Sequence, residues 1–229
     1  MTTAAPLRLV LDPVGDELAA ARACESEVFR DAFGNTEEEF EREYGPYVDQ
    51  TLFLAVMRDD GVAVAASRMI ANGPAGLKTL NDVARPPWEV DGARSAAAAG
   101  LDLDRTWDVA TIGVRREERQ GGLCSAALYH GIVNACVAND AEYCVGILDS
   151  HVRSLLSALG LQTYMLPGTN TAHYLGSDSS TPLWGNVLKT FARQQDENPD
   201  AYRLIRHGIG LDGISLPTDW VWKRGTDAP

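Results

Sequence analysis

The sequence predicts an α/β protein: a mixed central β-sheet flanked by helices, with a C-terminal helical extension. Three observations predict it. Two β-like runs, residues 51–58 and 62–70, flank Asp59-Asp60-Gly61, a strong hairpin signal. Residues 107–159 then read as strand, helix, strand, helix, the pattern of parallel pairing. Helical periodicity resumes at Leu183 and closes at Gly208. A sheet holding both an antiparallel hairpin and a β-α-β unit is mixed.

The elements follow in chain order. Leu7 to Leu11 is short and apolar, an opening strand. Residues 15–33 read as a helix closed by Gly34. Thr36-Glu37-Glu38-Glu39 is a capping box, so a short acidic helix follows and ends near Gly45-Pro46. Residues 73–100 are rich in Gly, Ala and Pro and read as a loop holding short helices at 77–83 and 94–99. The strand at 107–114 leads into a helix at 121–139. The run at 142–149 lacks alternation, as expected of a strand buried on both faces. Val152, Leu155, Leu156 and Leu159 form one helical face stopped by Gly160. Residues 164–175 predict a strand pair around Pro167-Gly168, and 183–193 a helix. Asn198-Pro199 places an N-cap before Pro at N1 of the last helix. We expect one domain over 1–180 and an extension, 181–229, packed on it.

Composition excludes several classes. The chain has 229 residues, 45% hydrophobic and 23% charged, near globular averages. That length supports a core without disulfide or metal staples. Net charge is −12, and from Asp12 to Asp60 fourteen acidic residues face four Arg. Such a balance argues against a nucleic-acid partner. The four cysteines, at 24, 124, 136 and 144, show no C-x-x-C spacing and join no His cluster, so no metal is expected. No secretory signal and no apolar run of membrane length is legible, and a cytoplasmic protein without a membrane partner is expected.

The chemistry concentrates between Ile112 and Leu128. A strand ends at Val114, a charged turn follows, and Gly121-Gly122 opens a helix of small residues. Glycines allow close backbone approach. The unpaired amides and dipole of the first helical turn attract anions such as a pyrophosphate. Arg115, Arg116 and Arg119 add positive charge in an acidic chain.

This segment resembles the acyl-CoA loop of the Gcn5-related N-acetyltransferase (GNAT) superfamily, Arg/Gln-x-x-Gly-x-Gly/Ala after a strand ending in Val. Arg119, Gly122 and Cys124 fall on the fixed positions, with Cys124 a departure. The resemblance is nearest to the acyl-homoserine-lactone synthases and long-chain N-acyl amino acid synthases, and covers residues 7–176. Asp108-Val-Ala-Thr-Ile-Gly-Val114 is similar to their Glu-x-Ser-Arg-x-x-Val strand, with Asp108 for Glu and Thr111 for Arg. Ala65-Ala-Ser-Arg68-Met is similar to their Arg-bearing strand, and the stretch from Tyr143 to Gly160 to their second β-α unit. Many GNAT enzymes place an acidic Tyr four residues before the Gly of that helix; here Leu156 holds the position.

The resemblance implies an N-acyltransferase. It would move an acyl group from a phosphopantetheine thioester, acyl-CoA or an acyl carrier protein, to an amine of a small molecule or amino acid, with no permanent cofactor. Val114, Arg115, Arg116, Arg119, Gln120, Gly121, Gly122, Leu123, Cys124 and Ser125 are the implied donor-binding residues. Arg115, Arg116 and Arg119, with Arg153, form a basic patch for a carrier protein. The backbone near Val114 or Gly113 would stabilise the oxyanion. Asp108 is the candidate base, directly or through water, with Arg68 paired to it or to a substrate carboxylate. Period-two alternation puts Asp108 and Val114 on one face, some 20 Å apart. Ser150, His151, His173 and Tyr174 are candidate acceptor contacts, although Ser150 also suits an N-cap. Cys124 reads as a loop residue rather than a nucleophile. The same features are compatible with a non-catalytic thioester-binding module and, against the charge balance, with an aminoacyl-tRNA-dependent transferase.

Overall fold

A computed structural model describes residues 7–119 and 122–223. A nine-stranded mixed sheet forms its centre. Strand β1 (Leu7–Leu11) leads to helices α1 (Gly15–Phe33) and α2 (Glu37–Tyr44), then to hairpin β2 (Thr51–Arg58) and β3 (Ala63–Ala71). Short helices α3 (Lys78–Val83) and α4 (Gly92–Ala99) precede β4 (Thr106–Val114), α5 (Leu123–Ala138), β5 (Tyr143–Asp149) and α6 (Ser150–Ala158). Strands β6 (Tyr164–Met165), β7 (Ala172–Tyr174) and β8 (Ser177–Asn186) follow, then α7 (Val187–Glu197), α8 (Pro199–His207) and β9 (Ile214–Ser215). The order across the sheet is β6-β8-β5-β4-β3-β2-β1-β9, with β7 also on β8.

Local chemistry sets many boundaries. Gly34, at φ 75°, ends α1 and donates its amide to the Arg30 carbonyl. The Thr36 hydroxyl accepts from the Glu39 amide at 3.2 Å, and the Glu39 carboxylate accepts from the Thr36 amide at 2.8 Å. Asn198 caps α8, with Pro199 at its first position.

Helices α1 to α4 cover one face of the sheet, where Phe53, Ala55 and Ala66 pack on α1 and Val145 packs with the α3–α4 segment. Helices α5 to α8 cover the other, over a larger core of Leu52, Leu54, Met69, Leu128 and Ile205. Helix α5 is hydrophobic nearly all round because it runs between the sheet and α8.

Three expectations are corrected. Residues 183–186 are strand, and the helix expected from 183 starts at Val187. The reason is tertiary: β8 pairs with β5 from Tyr143↔Asn186 to Asp149↔Ser180, which overrides a loop-like Ser-, Thr- and Pro-containing composition. The strands around Pro167-Gly168 pair with β8 rather than with each other. The C-terminal segment is not wholly helical, since β9 extends the sheet parallel to β1.

Candidate active site

Strand β4 carries the site because its two edges are treated differently. Along β3 it is paired from Trp107 to Val114. Along β5 it is paired only from Thr106 to Asp108. Beyond Asp108 the strands part, and alternate backbone N–H groups of β4 face the opening without a β5 partner. Gly146 makes the junction narrow, since a Cβ there would lie 2.9 Å from the Val109 carbonyl oxygen.

A β-bulge sits at the same place. Arg68 pairs with Thr111 and Met69 with Val109, so Ala110 is the extra residue. The bulge breaks the alternation used above. Asp108, Ala110, Thr111 and Gly113 face α1–α3, whereas Val109, Ile112 and Val114 face α5. Asp108 and Val114 are therefore on opposite faces. The opening starts beside Asp108, six residues before Val114, the strand end near which the oxyanion site was expected.

Two cavities meet at this opening. One, with an empty volume of about 880 Å³ out to its mouth, lies on the α1–α3 face and includes Asp108, Thr79, Lys78, Asp82, Glu43, Asp149 and Tyr174 in its lining. The other, about 750 Å³, lies on the α5 face and includes Ile132, Val133, Leu156, Leu183 and Phe191. Val109, Ile112 and Leu148 line both.

Asp108 is fully buried. Its Oδ2 accepts from the Thr79 amide at 2.5 Å and its Oδ1 from the Thr79 hydroxyl at 3.0 Å. Burial pushes its pKa up to about 7, against the opposing pull of the Thr79 N–H. A carboxyl whose pKa burial raises toward neutrality, in a cavity at a strand junction, is suited to proton transfer.

Around it runs a polar network of which the sequence reading singled out only Tyr174. Lys78 Nζ donates to Asp82 at 2.6 Å, to Glu43 at 3.2 Å and to the Tyr174 hydroxyl at 3.1 Å. The Tyr174 hydroxyl donates to Asp82 at 2.5 Å, and Arg85 pairs with Asp82 from outside. Burial and the Asp82 charge push the Tyr174 phenol far above its ordinary value. One signal was available: Lys78 and Asp82 stand four residues apart on a helix whose Leu77, Leu80 and Val83 are buried.

Arg68 does not pair with Asp108. Its Nε and Nη2 donate to the two carboxylate oxygens of Glu25 on α1, at 2.9 and 2.5 Å. Its guanidinium lies 4.3 Å from the Tyr44 ring centroid and 4.8 Å from that of Phe53. It is not part of the cavity lining. Thr111, at the position of the resembling family's second Arg, donates to the same Glu25 at 2.5 Å.

At the donor loop, Gly122 adopts φ 68° and caps α5 without a side-chain hydrogen bond, so the first-turn amides of Leu123, Cys124 and Ser125 have no side-chain cap. Gln120 and Gly121 lie outside the described residues. Arg119 Nε donates to the Val114 carbonyl at 2.9 Å, and Arg115 pairs with Glu27 at 2.8 Å. Arg116 is exposed. Cys124 is buried within the helix, and burial raises its thiol to about 11, which makes a poor nucleophile at neutral pH.

Of the acceptor candidates, only Tyr174 lines the polar cavity. Ser150 and His151 are exposed, and Asp149 rather than Ser150 caps α6, accepting from the His151 amide at 2.8 Å. His173 is exposed, 3.8 Å from Asp178.

No family model matches the chain, and no curated protein does. Solved structures do. FeeM, an N-acyl amino acid synthase from uncultured soil microbes, superposes with a TM-score of 0.62 at 13% identity, over 82% of this chain and 95% of its own. The CoA-dependent acyl-homoserine lactone synthase BjaI, solved with SAM and isopentyl-CoA, gives 0.61 at 15% identity over 93% and 94%. The acyl-homoserine lactone synthase LasI gives 0.58 at 10% over 80% and 91%. The chain shares their fold. It is the fold that the Asp108–Val114 strand and the Arg119–Cys124 loop led us to expect.

Proposed function

We propose that this protein is an N-acyltransferase that moves an acyl group from a phosphopantetheine thioester to a small-molecule amine. The observation that carries the reading is the opening between β4 and β5, with an apolar cavity behind it and a carboxyl-lined cavity before it. A thioester needs that division: a dry slot for the acyl chain, and a wet side where an amine can lose protons.

The donor's phosphates lie on the first turn of α5 beyond Gly122, with Arg116 and Arg119 beside them. Its pantetheine arm follows the free edge of β4, where a backbone N–H receives the thioester oxygen as charge develops. The acyl chain enters the cavity lined by Ile132, Val133 and Leu156. The acceptor arrives as an ammonium beside Asp108. The ionised carboxylate takes one proton. The freed nitrogen forms the C–N bond, the C–S bond breaks, and the nitrogen's second proton goes to the leaving sulfur. The products are an amide and a free thiol. Leu156 stands where many GNAT enzymes hold an acidic Tyr, so the sulfur takes its proton from the nitrogen. The branch-like similarity of residues 7–176, with FeeM and BjaI as structural neighbours, supports this reading.

The test is thiol release from acyl-CoA and from acyl-carrier protein with a mixture of amines, with products weighed by mass spectrometry. Amide formation from either donor is expected, and the two arms separate the donor sources. Donor binding without amide formation identifies a non-catalytic module and overturns the proposal.

A further inference from the structure

The polar cavity has a charge pattern that bears on the acceptor, given the acyl-transfer reading on which this inference rests. Among the described residues, five carboxyl groups line it, those of Glu39, Glu43, Asp82, Asp108 and Asp149, against one cation, Lys78. An ammonium has three N–H donors. All three of Lys78's are engaged, by Glu43, Asp82 and Tyr174. Arg68, expected to pair with Asp108 or with a substrate carboxylate, is closed off by Glu25. The Thr79 and Ser177 hydroxyls are also committed, to Asp108 and Asp149. An acceptor carboxylate would enter an acidic cavity and find no free cation there.

The acids remain ionised where it matters. Burial alone would raise Glu43, but Lys78 and Arg85 outweigh it and hold the carboxyl below its ordinary value. Burial likewise acts on Asp149, and the Ser177 hydroxyl and His151 amide outweigh it in the same direction. Glu43 is thus matched by its cations, whereas Asp149 accepts only from neutral donors and keeps an uncompensated charge toward the cavity.

We propose that the acceptor is a small diamine-type amine, one that carries no free carboxylate and brings a second positive charge. Its reacting nitrogen faces Asp108 and its remote ammonium faces the Asp149 carboxylate. Asp149 is the specificity residue for charge in this assignment.

Three acceptors built on the same four-carbon chain test it with one thioester donor: butane-1,4-diamine, butan-1-amine and 4-aminobutanoate. The diamine is expected to exceed the monoamine in kcat/KM by about tenfold, the size of one hydrogen bond to a charged group. The amino acid should fall below the monoamine. In Asp149→Asn, where Asn still caps α6, the diamine-to-monoamine ratio should drop toward one. An unchanged ratio overturns the role of Asp149. Turnover of 4-aminobutanoate, or of a mixture of amino acids, at or above the diamine rate overturns the acceptor class and leaves acyl transfer standing. No thiol release with diamine or amino acids overturns the acyl-transfer reading itself.

Discussion

Arg68 and Glu25 form a closed pair, with both carboxylate oxygens of Glu25 taken by one guanidinium. The side chains are 9% and 1% exposed, so neither charge has water to fall back on. A third donor, Thr111, completes the carboxylate. The strand arginine is thereby part of the joint between α1 and the sheet, and the acceptor cavity is left without it.

Breaking that joint from one side should be severe. Glu25→Gln leaves Arg68 buried without a counter-charge, and about 3–5 kcal/mol of stability should be lost. Replacing both, Glu25→Leu with Arg68→Met, should recover most of it. Urea unfolding measures both. If the double variant is folded and its acceptor KM departs strongly from wild type, Arg68 serves the substrate after all.

Gly122 holds φ 68° at the start of α5 with no neighbour within 4 Å of a built Cβ. Gly122→Val is therefore strained in its backbone and crowds only the space a ligand would fill. The expected outcome is a folded protein by circular dichroism that has lost CoA binding in calorimetric titration. Unchanged CoA affinity in a folded variant would take the loop out of the site.

The apolar cavity makes chain length an adjustable property. Ile132 lies on α5 at its wall. Ile132→Trp should move the optimum acyl-CoA to a shorter chain, with a stability loss of about 1–3 kcal/mol from overpacking. Specificity constants for a series from acetyl- to dodecanoyl-CoA check this; an unshifted optimum would place the chain elsewhere.

Asp108 also gives a stability signature. Its pKa in the folded chain, about 7, lies above the ordinary 3.8. The protonated form is thus favoured by folding, and the associated stability is full below about pH 4 and is lost as pH rises through about 7. The unfolding free energy of the wild type should fall across that window relative to Asp108→Asn. Parallel curves for the two proteins would mean that the carboxyl is not desolvated.

Local patterns carried much of the fold. The hairpin at Asp59-Asp60-Gly61, the capping box at Thr36 and the Asn198-Pro199 start are encoded within a few residues, and each appears where its chemistry puts it. Strand β8 is not local: Ser179, Ser180 and Pro182 have loop composition, and pairing with β5 and β7 makes them a strand. The site divides in the same way. The glycine loop was marked by strand and helix signals, and Asp108 by its place in the resemblance to the synthase strand. Thr79 lies 29 residues from Asp108 and Glu25 lies 43 from Arg68, so no spacing rule connects them. The bulge at Ala110 was equally silent, because one extra residue in a strand leaves no compositional mark, yet it decides which face Asp108 takes.

The pH dependence of kcat/KM for wild type and Asp108→Asn tests the central claim, that a buried carboxyl at the mouth of the β4–β5 opening is the base for amide formation. The wild type should gain activity with rising pH through an acidic limb near 7, the value burial sets for Asp108. Asp108→Asn should be slower by about a hundredfold and should lack that limb. An Asn variant that keeps both the limb and the rate would contradict the account.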